Sequence, residues 1–286
     1  MKWTAGNRDN VEDLRSHGGA GMRMGGLGLG GLLLVLVLSW ATGVDFLSLV
    51  GPDAVSTGPS VGTGGGGELR TTPEEERMVD FVDAVMKDAQ EMWSVKLAGR
   101  YQPTRARIFR DATQSGCGFA QSATGPFYCP ADELVYLDLG FFTELHERFR
   151  APGDFAQAYV LAHELGHHVQ HLLGIDQEVR RRQQASPGQA NQLSVRLELQ
   201  ADCFAGVWGH QAAERGRAAQ GKVELEPGDL EEGLNAAASI GDDRIQRMSG
   251  TRVAPDRFTH GSSEQRVTWF RRGFESGNVQ ACETFQ

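Results

Sequence analysis

The stretch 161-LAHELGHHVQHLL-173 decides the reading of this chain, because it sets four histidines and one glutamate into an otherwise apolar run. Histidine is a middling helix former and costs desolvation when buried, so packing alone does not account for the crowding. His163 and His167 are separated by about 40° around a 3.6-residue helix, one turn above the other, and both imidazoles reach one ion. Glu164 is turned about 100° from His163, so it does not ligate but reaches a water on that ion. The pattern is His-Glu-x-x-His, which supplies two zinc ligands and a general base. His167 and His171 repeat the spacing with His168 where the base should stand, which makes a poorer pair. With 8 histidines in the chain, an accidental match is on the order of 0.02 per sequence of this length.

Working outward, the helix is expected to run from Asp154, as N-cap, to about Leu173, with Gly174 just past its end. Gly166 inside it costs up to about 1 kcal/mol relative to Ala and marks close approach by another element or a ligand. A hydrolytic zinc site needs a third protein ligand and an open position. "LELQADCFAGVW" supplies the ligand: Glu198 and Asp202 share one helix face, so Glu198 can ligate while Asp202 accepts the outer N–H of a ligating histidine. Their apolar neighbours Leu197, Leu199, Ala201, Cys203 and Phe204 argue against an ordinary exposed acidic face, since a buried carboxylate needs a cation.

The 286 residues are 40% hydrophobic and 23% charged with a net charge of -9, which suits one catalytic domain with appendages. No long basic block occurs, and Arg180-Arg181-Arg182 reads as a solvated helix face, so a nucleic-acid partner is not expected. Residues 25–44 carry no charge and span about 20 positions, the length of a transmembrane helix. Lys2, Arg8, Arg15 and Arg23 precede them, so the expected arrangement is a single-pass anchor with residues 1–24 as a disordered cytoplasmic tail and the catalytic domain extracytoplasmic, periplasmic or at the cell surface. A cleaved signal peptide is the alternative. Residues 45–71 are a Gly-rich flexible linker, and the folded domain is expected over 72–286.

Thr72-Pro73-Glu74-Glu75 starts a helix. "ARIFRDA" and "ELVYLDL" read as strands, and helices follow over 154–173, 189–208, 229–248 and 262–277. Few strands early and many helices late predict an α+β fold, a small antiparallel sheet followed by a helical bundle carrying the His-Glu-x-x-His helix. Cys117 and Cys129 bracket a turn that a local disulfide would close, leaving Cys203 to pair with Cys282; free buried thiols are the other reading.

"AYVLAHELGHHVQHLLGI", "RLELQADCFAGVW", "SIGDDRIQ" and "THGSSEQRVTWFRRGFESGN" resemble the bacterial neutral zinc metallopeptidases, single-pass membrane proteins related to the Glu-zincin proteases. The resemblance covers most of residues 77–285 and implies a zincin-like domain, Zn²⁺ as cofactor, His163, His167 and Glu198 as ligands, and Glu164 as base. The chemistry expected is hydrolysis of a peptide or protein substrate by a zinc-activated water. His260 in "FTHGSSEQ" is the leading candidate for an oxyanion donor, with Tyr136 behind it. "ELVYLDL" is either a substrate-binding edge strand or a core strand. Asp242-Asp243-Arg244 either positions a neighbour or forms a structural ion pair. Two alternatives stand beside the peptidase reading: a non-catalytic zinc-binding scaffold, against which the intact Glu164 argues because a structural site has no use for a base, and an amidase acting on cell-wall peptide, which shares all the residues. Nothing in the pattern fixes an oligomeric state.

Overall fold

The computed structural model describes residues 1–15 and 71–285. Residues 1–15 and the C-terminal part from Leu69 belong to one compact unit. The expected membrane helix, most of the linker and Gln286 lie outside the described residues. Among the described residues no helix is long and apolar enough to cross a membrane.

Strand β1 (Val11–Asp13) is followed by helix α1 (Pro73–Lys96), then β2 (Ala106–Phe109), β3 (Ala112–Ser115), β4 (Gly118–Gln121), β5 (Phe127–Cys129) and β6 (Leu134–Asp138). Helices complete the chain: α2 (Gly140–Glu147), α3 (Asp154–Leu172), α4 (Ile175–Ala185), α5 (Ala190–Ala212), α6 (Asp229–Ser239), α7 (Asp242–Met248) and α8 (Ser263–Ser276). The α+β class stands. The sheet differs from the expected antiparallel one: its order is β1-β2-β6-β5, with β1, β2 and β6 parallel and only β5 antiparallel. A separate β3–β4 hairpin is antiparallel. Parallel strands covered on both faces read as continuous apolar runs, and Val135, Tyr136 and Leu137 of β6 are all fully buried. "ELVYLDL" is therefore an interior strand, and among the described residues the two edges of the sheet are β1 and β5.

The expectation of a disordered tail over residues 1–24 is overturned for residues 1–15. Val11 pairs with Ala106, Glu12 with Arg107 and Asp13 with Ile108, and Trp3 packs edge-on against Phe81 of α1 at 5.6 Å. The mixed charges that suggested solvation are consumed in pairs, Arg8 with Glu76 and Asp80, and Glu12 with Arg107.

Capping chemistry fixes the helix starts. Thr72 with Glu75 and Ser262 with Gln265 each form a reciprocal capping box. Asp154 is the first residue of α3 rather than its cap, which is Gly153. Gly174 adopts the left-handed conformation just beyond α3, with φ of 74°, as a terminating glycine does. The single helix expected over 229–248 is broken at Gly241, where a Cβ would lie 2.3 Å from the Ser263 backbone nitrogen. That close approach brings the start of α8 against α7.

Helix α3 lies at the centre of the core, packed against α1, α5 and α6. Gly166 lets α5 come in: a Cβ there would sit 3.0 Å from the Ala201 carbonyl oxygen. Gly206 of α5 and Gly273 of α8 do the same for the next pair, since added Cβ atoms would meet the Phe270 and Cys203 carbonyl oxygens at 2.1 and 1.9 Å. The cysteines pair as Cys117–Cys129 and Cys203–Cys282, the second tying the C-terminal segment to α5.

Candidate metal centre

Helix α3 presents His163 and His167 one turn apart, and α5 crosses it so that Glu198 faces both. The His163 and His167 Nε2 atoms are 3.1 Å apart. Glu198 places Oε2 3.2 Å from His163 Nε2 and Oε1 3.4 Å from His167 Nε2. Edges of about 3.3–3.4 Å are those of a tetrahedron with metal–ligand bonds near 2.05 Å, so the donor set fits one zinc ion. Its chemistry fits too, two imidazoles and a carboxylate.

The outer nitrogens fix the tautomers. His163 Nδ1 donates to Asp202 Oδ1 at 2.8 Å and His167 Nδ1 donates to Gln170 Oε1 at 2.9 Å. Both Nε2 lone pairs are thereby turned toward each other, an arrangement that repels unless a cation lies between them. Burial pulls the His163 imidazole pKa down, but Asp202 and Glu198 outweigh it and push it up to about 9. Burial likewise raises Glu198, and His167 and His163 reverse that, holding it well below the usual carboxylate range. The cluster is a strong trap for positive charge.

Behind it lies a buried network that sequence reasoning only partly found. Asp202 is fully buried and Arg266 of α8 is 3% exposed. Arg266 grips Asp202 with a fork, Nε to Oδ2 at 2.9 Å and a terminal nitrogen to Oδ1 at 2.9 Å. The Tyr159 hydroxyl, one turn before His163, also donates to Asp202. Gln170 in turn donates to the Leu197 carbonyl at 2.7 Å and to Gln200 Oε1 at 3.1 Å. Tyr159, Gln170 and Arg266 were not singled out in the sequence. A signal for Arg266 existed, since it shares a helix face with Phe270 and Gly273, all three buried. For Gln170 it was the spacing of three and seven from His167 and His163.

His168 and His171 are not part of the cluster. His168 donates through Nε2 to the Gln102 carbonyl at 2.7 Å and meets the Tyr128 hydroxyl with Nδ1 at 3.0 Å. His171 pairs with Asp176 at 3.0 Å.

A cleft of about 670 Å³ opens over the three donors and is lined by Glu164, His260 and Arg266, by Phe127 and Tyr128 of β5, and by an apolar group including Phe141, Phe149, Val160, Ile240 and Ile245. Glu164 therefore shares the cleft with the donor atoms, as its place next to His163 requires. His260 lines the same cleft from the loop before α8. Asp242 holds that loop: its Oδ2 accepts the backbone N–H groups of Thr259, His260 and Gly261 at 2.7, 2.7 and 3.1 Å, and Oδ1 accepts from His260 Nδ1 at 3.2 Å. The acidic pair thus has separate tasks, Asp243 accepting from the Ser263 backbone and hydroxyl at the start of α8. The side-chain hydrogen bond to Asp242 raises the pKa of the half-exposed His260 above its ordinary value. Tyr136 is not near this chemistry; fully buried, it donates to Asp132 at 2.6 Å.

This constellation agrees with what the whole chain is similar to. Residues 1–285 match the family described as "putative neutral zinc metallopeptidase". The chain belongs to that family. Within it, Escherichia coli K12 YpfJ, named an uncharacterized protein, is 46% identical over 298 aligned positions covering 100% of this chain and 99% of the relative. The Mycobacterium tuberculosis H37Rv protein Rv2575, also named uncharacterized, is 42% identical over 223 positions, 76% of this chain and 74% of the relative. No solved structure matches.

Proposed function

We propose that this metallopeptidase is a zinc-dependent endopeptidase with a zincin-like catalytic domain, in which His163, His167 and Glu198 hold the ion and Glu164 is the general base. The observation that carries this reading is the convergence of two imidazole Nε2 atoms and one carboxylate within 3.1–3.4 Å of each other, with Glu164 lining the cleft above them. Zinc held by His163, His167 and Glu198 would supply Lewis acidity and make water a competent nucleophile at neutral pH. Glu164 accepts the proton of the attacking water and returns it to the leaving amine. Asp202, fixed by Arg266, keeps the His163 proton on Nδ1, and Gln170 does the same for His167. His260, oriented by Asp242, donates to the oxygen of the scissile carbonyl as negative charge develops on it.

The substrate is an extended peptide. Strand β5 borders the cleft and has a sheet neighbour only in β6 among the described residues, so its other edge offers backbone groups on which a peptide adds as a strand. The apolar group of Phe141, Phe149, Val160, Ile240 and Ile245 receives a large apolar side chain beside the scissile bond. The uncharged stretch 25–44 attaches the enzyme to a membrane.

The test is metal analysis of the full chain together with hydrolysis of an unstructured protein such as casein by wild type and Glu164→Gln. Stoichiometric zinc in both, with activity in the wild type reduced about 10²–10⁴-fold in the variant, is expected. Zinc in both with no hydrolysis by the wild type would instead make the protein a zinc-stabilised scaffold.

A further inference from the structure

The two flanks of the apolar stretch 25–44 are folded together. We infer that residues 1–15 are a built-in part of the peptidase domain, so that both flanks lie on the same, oxidising side of the membrane rather than on opposite sides of it. This rests on the proposed membrane attachment of residues 25–44 and not on the catalytic reading.

The pairing of β1 with β2 is main-chain hydrogen bonding in register: Asn10 O accepts from Ala106 N at 2.8 Å and Leu14 N donates to Ile108 O at 2.8 Å. Paired strands stand about 4.8 Å apart, whereas the hydrocarbon of a bilayer is about 30 Å thick. A cytoplasmic tail and an exported domain would put that whole thickness between β1 and β2.

The domain is also shaped to receive the segment. Asp83 sits in the middle of the buried face of α1, between Val82 and Val85, where an unpartnered carboxylate is costly. Its oxygens accept the backbone N–H of Arg8 at 3.1 Å, and the backbone N–H and side-chain amide of Asn10 at 3.0 and 2.9 Å. Gln90, two turns further along, donates to Asn10 Oδ1 at 3.0 Å. Arg15, 3% exposed, pairs with Asp13 at 2.6 Å and with Glu76 of α1 at 2.8 Å. Lys2 adds a bridge to Glu224, each backbone N–H donating to the other's carbonyl at 2.8 and 3.0 Å. Sheet, helix α1 and the segment before α6 each contribute partners, which a tail held in another compartment could not meet. The same strand covers the β2 edge of the sheet, so β1 and β5 are its two ends.

The two disulfides choose the side. They persist in oxidising compartments, and they belong to the same unit as β1.

The experiment places single reporter cysteines in the otherwise complete chain, Ala5→Cys and, separately, Glu214→Cys, both exposed positions. The native cysteines are all paired and stay silent. Intact spheroplasts are treated with a membrane-impermeant maleimide, before and after detergent. Labelling of both positions in intact spheroplasts, within about twofold of the detergent value, is expected. Protection of Ala5→Cys with reaction at Glu214→Cys would place the flanks on opposite sides and overturn the inference, and protection of both would overturn the assignment to the oxidising side. Amide hydrogen exchange on the purified full chain provides a second readout: the Leu14 amide should be protected like those of β6, and free exchange there would show that β1 is not part of the domain.

Discussion

Replacing Arg266 by methionine removes the guanidinium fork and keeps most of the side chain's apolar volume. Asp202 then remains fully buried with His163 and Tyr159 as its partners. Breaking a buried ion pair by deleting one member costs about 3–5 kcal/mol, because the other charge is left behind. For a domain of this size about 2–4 °C of melting temperature accompanies each kcal/mol, so Arg266→Met should melt roughly 6–20 °C below wild type. Burial raises the Asp202 pKa and Arg266 is the main group lowering it, so the variant's Asp202 takes up a proton more readily and, once protonated, no longer accepts the His163 Nδ1–H. Zinc affinity should fall about 10–100-fold, the effect of losing an outer partner of a ligating histidine. Arg266→Lys retains the charge but not the bidentate geometry and should fall between the two. Thermal unfolding with and without zinc, and competition against a chromogenic chelator, read both quantities. If Arg266→Met unfolds within about 1 kcal/mol of wild type and holds zinc unchanged, the assignment of Arg266 as the clamp on Asp202 is wrong.

Three further outcomes are expected. In Asp242→Asn, His260 loses the hydrogen bond that raises its pKa, so the basic limb of kcat/KM should move to lower pH; His260→Ala should cost about 10²–10³ in kcat. The same raised pKa means that His260 adds stability below its unfolded value of about 6.5 and that this is lost as pH rises through the folded value, a pH dependence of unfolding that Asp242→Asn should flatten. Gly273→Ala would set a Cβ 1.9 Å from the Cys203 carbonyl oxygen; urea unfolding should show a loss of about 1–3 kcal/mol or more, and zinc affinity should drop with it because α8 carries Arg266 away from Asp202. Removing the Cys203–Cys282 link, which closes 79 residues, should destabilise by about 4–5 kcal/mol and removing Cys117–Cys129 by about 3, from loop-closure entropy; an inverted order in calorimetry would contradict that account.

The local chemistry of the site was written in the sequence. Spacing of four on a 3.6-residue helix decides that His163 and His167 face one point and that Glu164 stands beside it, and the same spacing relates Glu198 to Asp202. Capping boxes at Thr72 and Ser262 and the terminating Gly174 are equally local, each set by hydrogen bonds within a few residues. The partners of Asp202 were half legible. A carboxylate amid apolar neighbours announces a cation, but only the crossing of α8 over α5, at Gly206 and Gly273, shows that one of them is Arg266.

Sheet topology and the N-terminal segment were decided by tertiary structure alone. An interior parallel strand and a fully buried antiparallel one carry the same apolar run, so "ELVYLDL" could not declare its neighbours, and β5 could not be recognised as the edge beside the cleft. Residues 1–15 read as solvated because most of their charges find partners only outside the segment; apart from the local Arg15–Asp13 pair, the partners are Glu76, Asp80, Asp83 and Arg107, supplied from across the apolar stretch and the linker. Periodicity reports what a residue does to its own element. Which distant element neutralises a charge or pairs a strand is fixed only when the chain closes on itself, and there burial rather than sequence distance sets the energy.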